Sequence, residues 1–413
     1  MTKTNFIISV LTVFVQYYDY HLFGFMAANI STYFFPVDEA VTQLLNTYLV
    51  MSIAMVAKPI GSIVLGKIGD LKGRSNSFKI SLIGTAIASF VLFATPSYQQ
   101  IGGLACASLL ICRMAICTFV TGGSDGVRIY IYEHISEKNK CLGVGFTTIF
   151  TLAGSLSASL SAWYFTLNNE TSLVWRYSFL IGSILSLIVI IAMKITDFKD
   201  NIKVMDSDDY HKYSSISFYK IIKENWKLFL TCTILAGSIG STTQFLIVFF
   251  GTYNYEILAT ESRHYIQKII TLGIVSYMIF SVIGGYIADK IGRLKTTLLS
   301  GALLLIILVV LCVYTSKMQF SAYVFIAINC VIPFVLMPAA VIFKQSIPMP
   351  IRYRLFSLSH AVGSVLISAP TAYVSTYLYK VSGVTWLPIL YFISAIFMIC
   401  LSVYILSRKN VTS

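Results

Sequence analysis

Gly66-Lys-Ile-Gly-Asp70-Leu-Lys-Gly73-Arg74 and Gly285-Tyr-Ile-Ala-Asp289-Lys-Ile-Gly292-Arg293 are two copies of one short charged motif. Each copy follows a long apolar run and precedes another. The interval from Gly66 to Gly285, 219 residues, is about half of the 413-residue chain. The chain therefore reads as two homologous halves. Repeated helical halves that rock against each other around a midplane site are the architecture of secondary transporters.

Composition points the same way. With 57% hydrophobic and 11% charged residues and a mean hydropathy of +0.79, the chain has more apolar surface than one soluble core can bury. A spanning helix needs about 20 mostly apolar residues. Twelve such spans begin near Asn5, Leu44, Phe78, Ile101, Cys141, Val174, Lys227, His264, Leu294, Met318, Tyr353 and Val384. The first runs from Phe6 to Phe35 through Asp19, too long and too interrupted for a cleaved signal peptide, and is expected as a retained helix. The expected fold is an all-α integral membrane protein with twelve transmembrane helices in two pseudo-symmetric six-helix halves. These halves are residues 1–196 and 227–413, and a polar cytoplasmic linker over 197–226 joins them.

Basic residues set the orientation. If the first segment is cytoplasmic, that side holds Lys3, Lys67, Lys72, Arg74, Lys79, Lys138, Lys140, the seven lysines from Lys194 to Lys227, Lys290, Arg293, Lys295, Lys344, Arg352, Arg354, Arg408 and Lys409. The opposite side has only Arg176, Arg263, Lys268, Lys317 and Lys380. Both termini are expected in the cytoplasm, and the net charge of +13 reads as topology anchors beside anionic headgroups, with no nucleic acid partner. The eight cysteines show no CxxC or CxxH spacing and read as packing residues, so no metal site is expected. The chain contains no phosphate-cradling Gly-x-x-x-x-Gly-Lys-Ser/Thr loop, metal-ligand His pair or Ser-His-Asp arrangement in a plausible context. An enzyme is not expected.

The doubled loop resembles the signature of the major facilitator superfamily, and the resemblance covers essentially the whole chain. Gln16-Tyr-Tyr-Asp19-Tyr, Lys58-Pro59-Ile-Gly61, Tyr132-Glu133-His134 and Trp175-Arg176-Tyr-Ser-Phe179 are similar to the metabolite:proton symporter branch, which includes bacterial proline/betaine transporters. The resemblance implies a transporter of the bacterial inner membrane driven by a proton gradient, without a cofactor. Two departures stand out. Where the branch has Glu-Trp-Tyr-Asp-Phe in the first span, this chain has Gln16, an amide. Where the branch has Gly-Gly-Glu-Tyr-x-Gly in the fourth, the Glu position is Gly123, and a carboxylate stands two residues on as Asp125. The branch's proline or betaine substrate is therefore not carried over.

Charges inside a span cost several kcal/mol by insertion scales and usually face a polar interior, so each is a functional candidate. Asp19, Lys58, Arg113, Asp125 and Arg128 are the five, all in the amino-terminal half. Arg113, Cys117, Thr121, Asp125 and Arg128 fall on one stripe of the fourth span. Asp125 and Arg128, three residues apart, can pair. One negative and two positive charges then remain on Asp19, Lys58 and Arg113, a set that favours a carboxylate. Asp19 is the expected proton carrier, because burial and cationic neighbours act on a carboxyl in opposite senses. The alternative is an ionised acid bridging helices. Asp125 is the second coupling candidate. Arg113 is expected to hold a carboxylate bidentately, or to pair with Asp19. Lys58, before the helix-kinking Pro59, either turns inward or snorkels to the interface.

Tyr17, Tyr18 and Tyr20 offer aromatic faces for an ammonium group. In its central spans the carboxy-terminal half offers no buried acid or base except His360, which lies in the series Ser357, His360, Ser364 and Ser368. It is either a relay or a histidine satisfied by a hydroxyl. Ser238, Ser241, Thr242 and Gln244 read as a neutral polar wall, and His21, two residues from Asp19, as structural. The loop residues Gly66, Asp70, Gly73 and Arg74, with Gly285, Asp289, Gly292 and Arg293, are expected to gate, their acids meeting a helix N-terminus or an arginine across the halves. The expected activity is proton-coupled symport of a small carboxylate-bearing or zwitterionic metabolite by a monomer in the lipid bilayer. An uncoupled uniporter or exchanger, or a membrane sensor without transport, is the alternative.

Overall fold

The computed structural model describes residues 3–35, 39–72, 74–133, 135–166, 173–196, 218–348 and 351–412. Twelve helices among them are long and apolar enough to cross a membrane. They are α1 (Phe6–Phe25), α2 (Ala40–Gly66), α3 (Asn76–Ala94), α4 (Gly103–Glu133), α5 (Glu137–Phe165), α6 (Leu173–Ile195), α7 (Trp226–Ile257), α8 (Arg263–Ile291), α9 (Arg293–Ser316), α10 (Ala322–Gln345), α11 (Arg354–Ser382) and α12 (Leu387–Arg408). Every start lies within four residues of the expected one. The expected first run to Phe35 is divided, however. A turn at Met26 separates α1 from a short helix, Ala27–Phe34. Of the expected linker, 197–217 lies outside the described residues, and Phe218–Glu224 is a helix leading into α7.

The distribution of polarity is that of a protein dissolved in hydrocarbon. Ile195, Leu104, Ile111 and Leu299 are each more than 60% exposed, whereas Asp19, Arg113, Ser81, Thr297 and Ser238 are buried. Helices satisfy their own backbone groups, which is what a lipid solvent requires.

Small residues set the helix pairs, and the pairs repeat between halves. In the first half α2 meets α4 where a methyl on Gly61 would collide with the Thr118 carbonyl. In the second, α8 meets α10 at Gly284, beside Pro333 and Phe334. Likewise α1 meets α5 at Gly154, against the Phe14 carbonyl, and α7 meets α11 at Gly237 and Gly363. Across the halves α5 and α8 touch backbone to backbone. Gly145 lies on the Ser281 carbonyl and Gly285 on the Cys141 carbonyl. Such close approaches let helices slide without disrupting large side chains.

Regular α-geometry fails where the interior is polar. Met55–Ala57 tightens into a 3-10 turn in which the Lys58 N–H bonds the Met55 carbonyl, the acceptor that Pro59 leaves without its usual donor. Wide π-turns interrupt α7 at Gln244–Phe249 and Tyr253–Ile257, and α11 at Ser364–Ser368. Irregular turns of this kind are common at functional sites in helices.

Candidate functional site

The halves close on each other at both ends. At the end carrying the charged motifs, Asp289 accepts the N–H groups of Cys141 (3.2 Å) and Leu142 (2.9 Å) at the start of α5. Arg293 donates to the Glu137 carbonyl (2.9 Å) and to Gln345 Oε1 (2.5 Å). On the pseudo-symmetric side, Ser62 donates to the Ser357 carbonyl (3.4 Å) and Arg352 pairs with Glu133 (3.9 Å). At the opposite end Lys380 donates to Glu39 (3.0 Å) and Thr42 (2.7 Å), Arg263 to Asn29 Oδ1 (2.8 Å), and Ser52 to the Ala369 carbonyl (2.7 Å). Gly66, Gly285 and Gly292 lie in the described loops and helix ends. Gly73 and the side chains of Asp70 and Arg74 lie outside the described residues.

Between these closures is a central cavity of about 170 Å³, room for on the order of ten water positions. From α1 it takes Tyr17, Tyr20 and His21, from α2 Lys58, from α4 Thr121, Ser124 and Arg128. The second half contributes Gln244 and Thr243 from α7, Tyr277 from α8, Lys344 from α10, and His360, Ser364 and Ser368 from α11. Thus Lys58, Tyr20, Arg128 and His360 come together at the cavity wall. Asp19, Arg113 and Asp125 do not line it.

The phase of α1 explains the split. Tyr17, Tyr20 and His21 share one helical face, at spacings of three and four, and Asp19 takes another. Asp19 is wholly buried against α3 and α6. Ser89 donates to its Oδ1 (2.9 Å), Gly182 leaves room for the carboxylate, and Oδ2 has no partner among the described residues. Tyr18 turns away too, donating to the Ser178 carbonyl. His21, expected to be structural, bonds Ser155 but also lines the cavity.

Arg113 sits behind Tyr20. It donates to the Tyr20 carbonyl (3.0 Å), and its guanidinium lies 4.9 Å from the Tyr20 ring centre and 4.7 Å from that of Phe23. Its Nε and Nη1 have no hydrogen-bond partner. It is within electrostatic reach of Asp19 but forms no ion pair with it within 4 Å among the described residues. The Tyr20 hydroxyl is a junction between halves. It accepts from Lys58 Nζ (3.1 Å) and from Gln244 Nε2 (3.0 Å).

Asp125 makes the second junction. His360 Nδ1 lies 2.9 Å from its Oδ2, Ser357 donates to the same oxygen (3.4 Å), and Arg128 stands 3.9 Å from Oδ1. Its carboxylate therefore ties α4 to α11. Arg128 also donates to the Tyr17 hydroxyl. Lys344, counted with the cytoplasmic surface, is instead only 4% exposed and opens into the cavity from the end of α10, adding a buried base to the one expected at His360. Helical side chains lean toward their own N-terminus, which carries a lysine at the end of α10 inward.

Two six-helix halves around a central cavity are the architecture of a secondary membrane transporter. The chain belongs to the Major Facilitator Superfamily, whose sequence profile matches residues 9–349. It is 25% identical to a citrate-proton symporter of Salmonella typhi over 90% of this chain and 86% of that one. It is 27% identical to a putative proline/betaine transporter of Staphylococcus aureus (strain COL), over 93% and 84%. Among solved structures, a D-xylose-proton symporter superposes with a TM-score of 0.74 at 15% identity, covering 98% of this chain and 96% of the other. The human organic anion transporter MFSD10 gives 0.65 at 12%, covering 98% and 100%. These likenesses concern transporters, not enzymes.

Proposed function

We propose that the protein imports a small carboxylate-bearing or zwitterionic metabolite together with protons, by alternating access of the central cavity, as a monomer in a bacterial inner membrane with both termini cytoplasmic. The observation that carries this reading is the wholly buried Asp19, one oxygen unpartnered, next in sequence to the cavity-facing Tyr20. A proton on Asp19 removes an anion from the reach of Arg113, which holds the Tyr20 backbone. Tyr20 in turn joins Lys58 of one half to Gln244 of the other. Protonation is in this way linked to the contact that holds the halves together over the site. Asp125 acts as a second coupling acid, since its contacts with His360 and Ser357 cross the same interface while Arg128 flanks it on α4. The proton gradient is the driving force and no cofactor is used.

Uptake by proteoliposomes tests this reading, with radiolabelled amino acids, betaines and organic acids offered with and without an inward proton gradient. Wild type accumulates its substrate only with the gradient, and Asp19→Asn loses accumulation while retaining exchange. Equal, gradient-indifferent uptake by both proteins makes the chain a uniporter. Flux of no compound makes it a sensor.

A further inference from the structure

The cavity wall has an unbalanced set of charges. Lys58, Arg128 and Lys344 line it, and no Asp or Glu does so among the described residues. Asp125, behind the wall, is engaged by Arg128 and His360. Neither Lys58 nor Lys344 has a carboxylate within 4 Å among the described residues, although they are 7% and 4% exposed. Among the described residues Lys58 contacts the Tyr20 hydroxyl (3.1 Å) and ring (4.7 Å), and Lys344 the rings of Tyr132 and Phe356, each 5.5 Å away. A buried ammonium without a contacting carboxylate is unfavourable, so lysines held this way in a cavity suit an anion that arrives from outside.

The cavity-facing tyrosines of α1 already carry cations. The Tyr17 ring carries Arg128 at 5.1 Å, and the Tyr20 ring carries Lys58 at 4.7 Å and Arg113 at 4.9 Å. A zwitterion would add a positive charge to a wall that, among the described residues, has no carboxylate and whose α1 tyrosines already carry cations.

We infer that the cavity binds an oxyanion of two or more negative charges, a polycarboxylate or a phosphate ester, held between Lys58 of the first half and Lys344 of the second, with Arg128 as the third cation. The inference rests on the cavity being the transport site and narrows its substrate. Because the two lysines belong to opposite halves, a bridging dianion neutralises both and draws α2 and α10 together. A monoanion satisfies only one.

The test uses the purified full chain with defined probes: succinate, citrate, glycerol 3-phosphate, lactate, proline and glycine betaine. Thermal shift reports binding, and proteoliposome counterflow reports transport. Succinate, citrate or glycerol 3-phosphate should raise the melting temperature and exchange, and whichever does so separates carboxylate from phosphate. Lactate, proline and betaine should do neither. Lys344→Met and Lys58→Met should each weaken the polyanion about ten- to a hundredfold, the effect of losing one charged hydrogen bond. Lys344→Met should also raise the melting temperature of ligand-free protein, a sign that it folds. Proline or betaine binding that is unaffected by both variants overturns the inference and leaves transport standing. Polyanions that bind without exchange support the inference and overturn the transport reading. Binding and exchange of none of the probes overturns both.

Discussion

At the residue scale the two departures in the first and fourth spans become one feature. Gly123 lies directly against the Gln16 amide, which donates to Ser81 (2.6 Å), and a methyl on Gly123 would collide with that amide. The amide and the glycine fill one space between α1, α3 and α4. Gly123→Ala should therefore lower the apparent melting temperature in detergent, at an overpacking cost of about 1–3 kcal/mol. Gln16→Ala in the same chain should restore most of the loss, with a coupling above about 0.5 kcal/mol in the double-mutant cycle. Independent, additive effects of the two changes would refute the packing account. The charged residues of the first half were legible because a charge in a span is conspicuous. Which face each one took was not. Charge content gave Asp19 a place at the cavity, whereas helical phase gives that place to Tyr17, Tyr20 and His21. Lys344 was hidden by its position near a loop, since side-chain direction and not sequence neighbourhood decides where its ammonium ends.

At the scale of elements, the second copy of the charged motif works through a helix end. The Asp289 carboxylate bonds two otherwise unsatisfied N–H groups at the start of α5 and adds a favourable charge to the helix dipole. A contact of this kind contributes about 0.5–2 kcal/mol, enough to change the ratio of closed to open forms by about two- to thirtyfold. Cys141, wholly buried beneath it, is a built-in reporter. Peptide-resolved maleimide labelling of Cys141 should be faster in Asp289→Ala than in wild type, and intermediate in Asp289→Asn. Unchanged labelling would mean that the contact does not hold this end closed.

At the opposite end Glu39 makes one of the ties between halves. Its hydrogen bonds with Thr42 and then Lys380 hold the carboxyl below the usual carboxylate range. With the folded value depressed, the tie is fully present above the ordinary carboxylate value and is lost as pH falls through the lower one. Spin labels at Ser97 and Ser382, one on each half at this end, should show a shrinking short-distance population below that value. Glu39→Gln should show a reduced population already at neutral pH. The effect is small, as expected of an exposed pair. A distribution that is independent of pH and of the substitution would exclude the latch.

At the scale of the whole molecule, the spans were legible from hydropathy and the two halves from the repeated motif, because both signals are long and redundant. The π-turns of α7 and α11 were not, since a single extra residue in a helical turn leaves no trace in an apolar run. They matter for the site, as Gln244, Ser364 and Ser368 lie in those turns and line the cavity. The same holds for the contacts across the interface. Asp125 to His360 and Tyr20 to Gln244 join residues more than 200 positions apart, and no local pattern announces them.

In the proposed mechanism substrate and proton cross together through the cavity. Vesicles containing the protein and an entrapped pH dye, with no imposed gradient, test it directly when the substrate identified by counterflow is added outside. Substrate influx should acidify the lumen in wild type, and Asp19→Asn should take up substrate with no pH change. Substrate influx into wild-type vesicles at constant lumenal pH would contradict it.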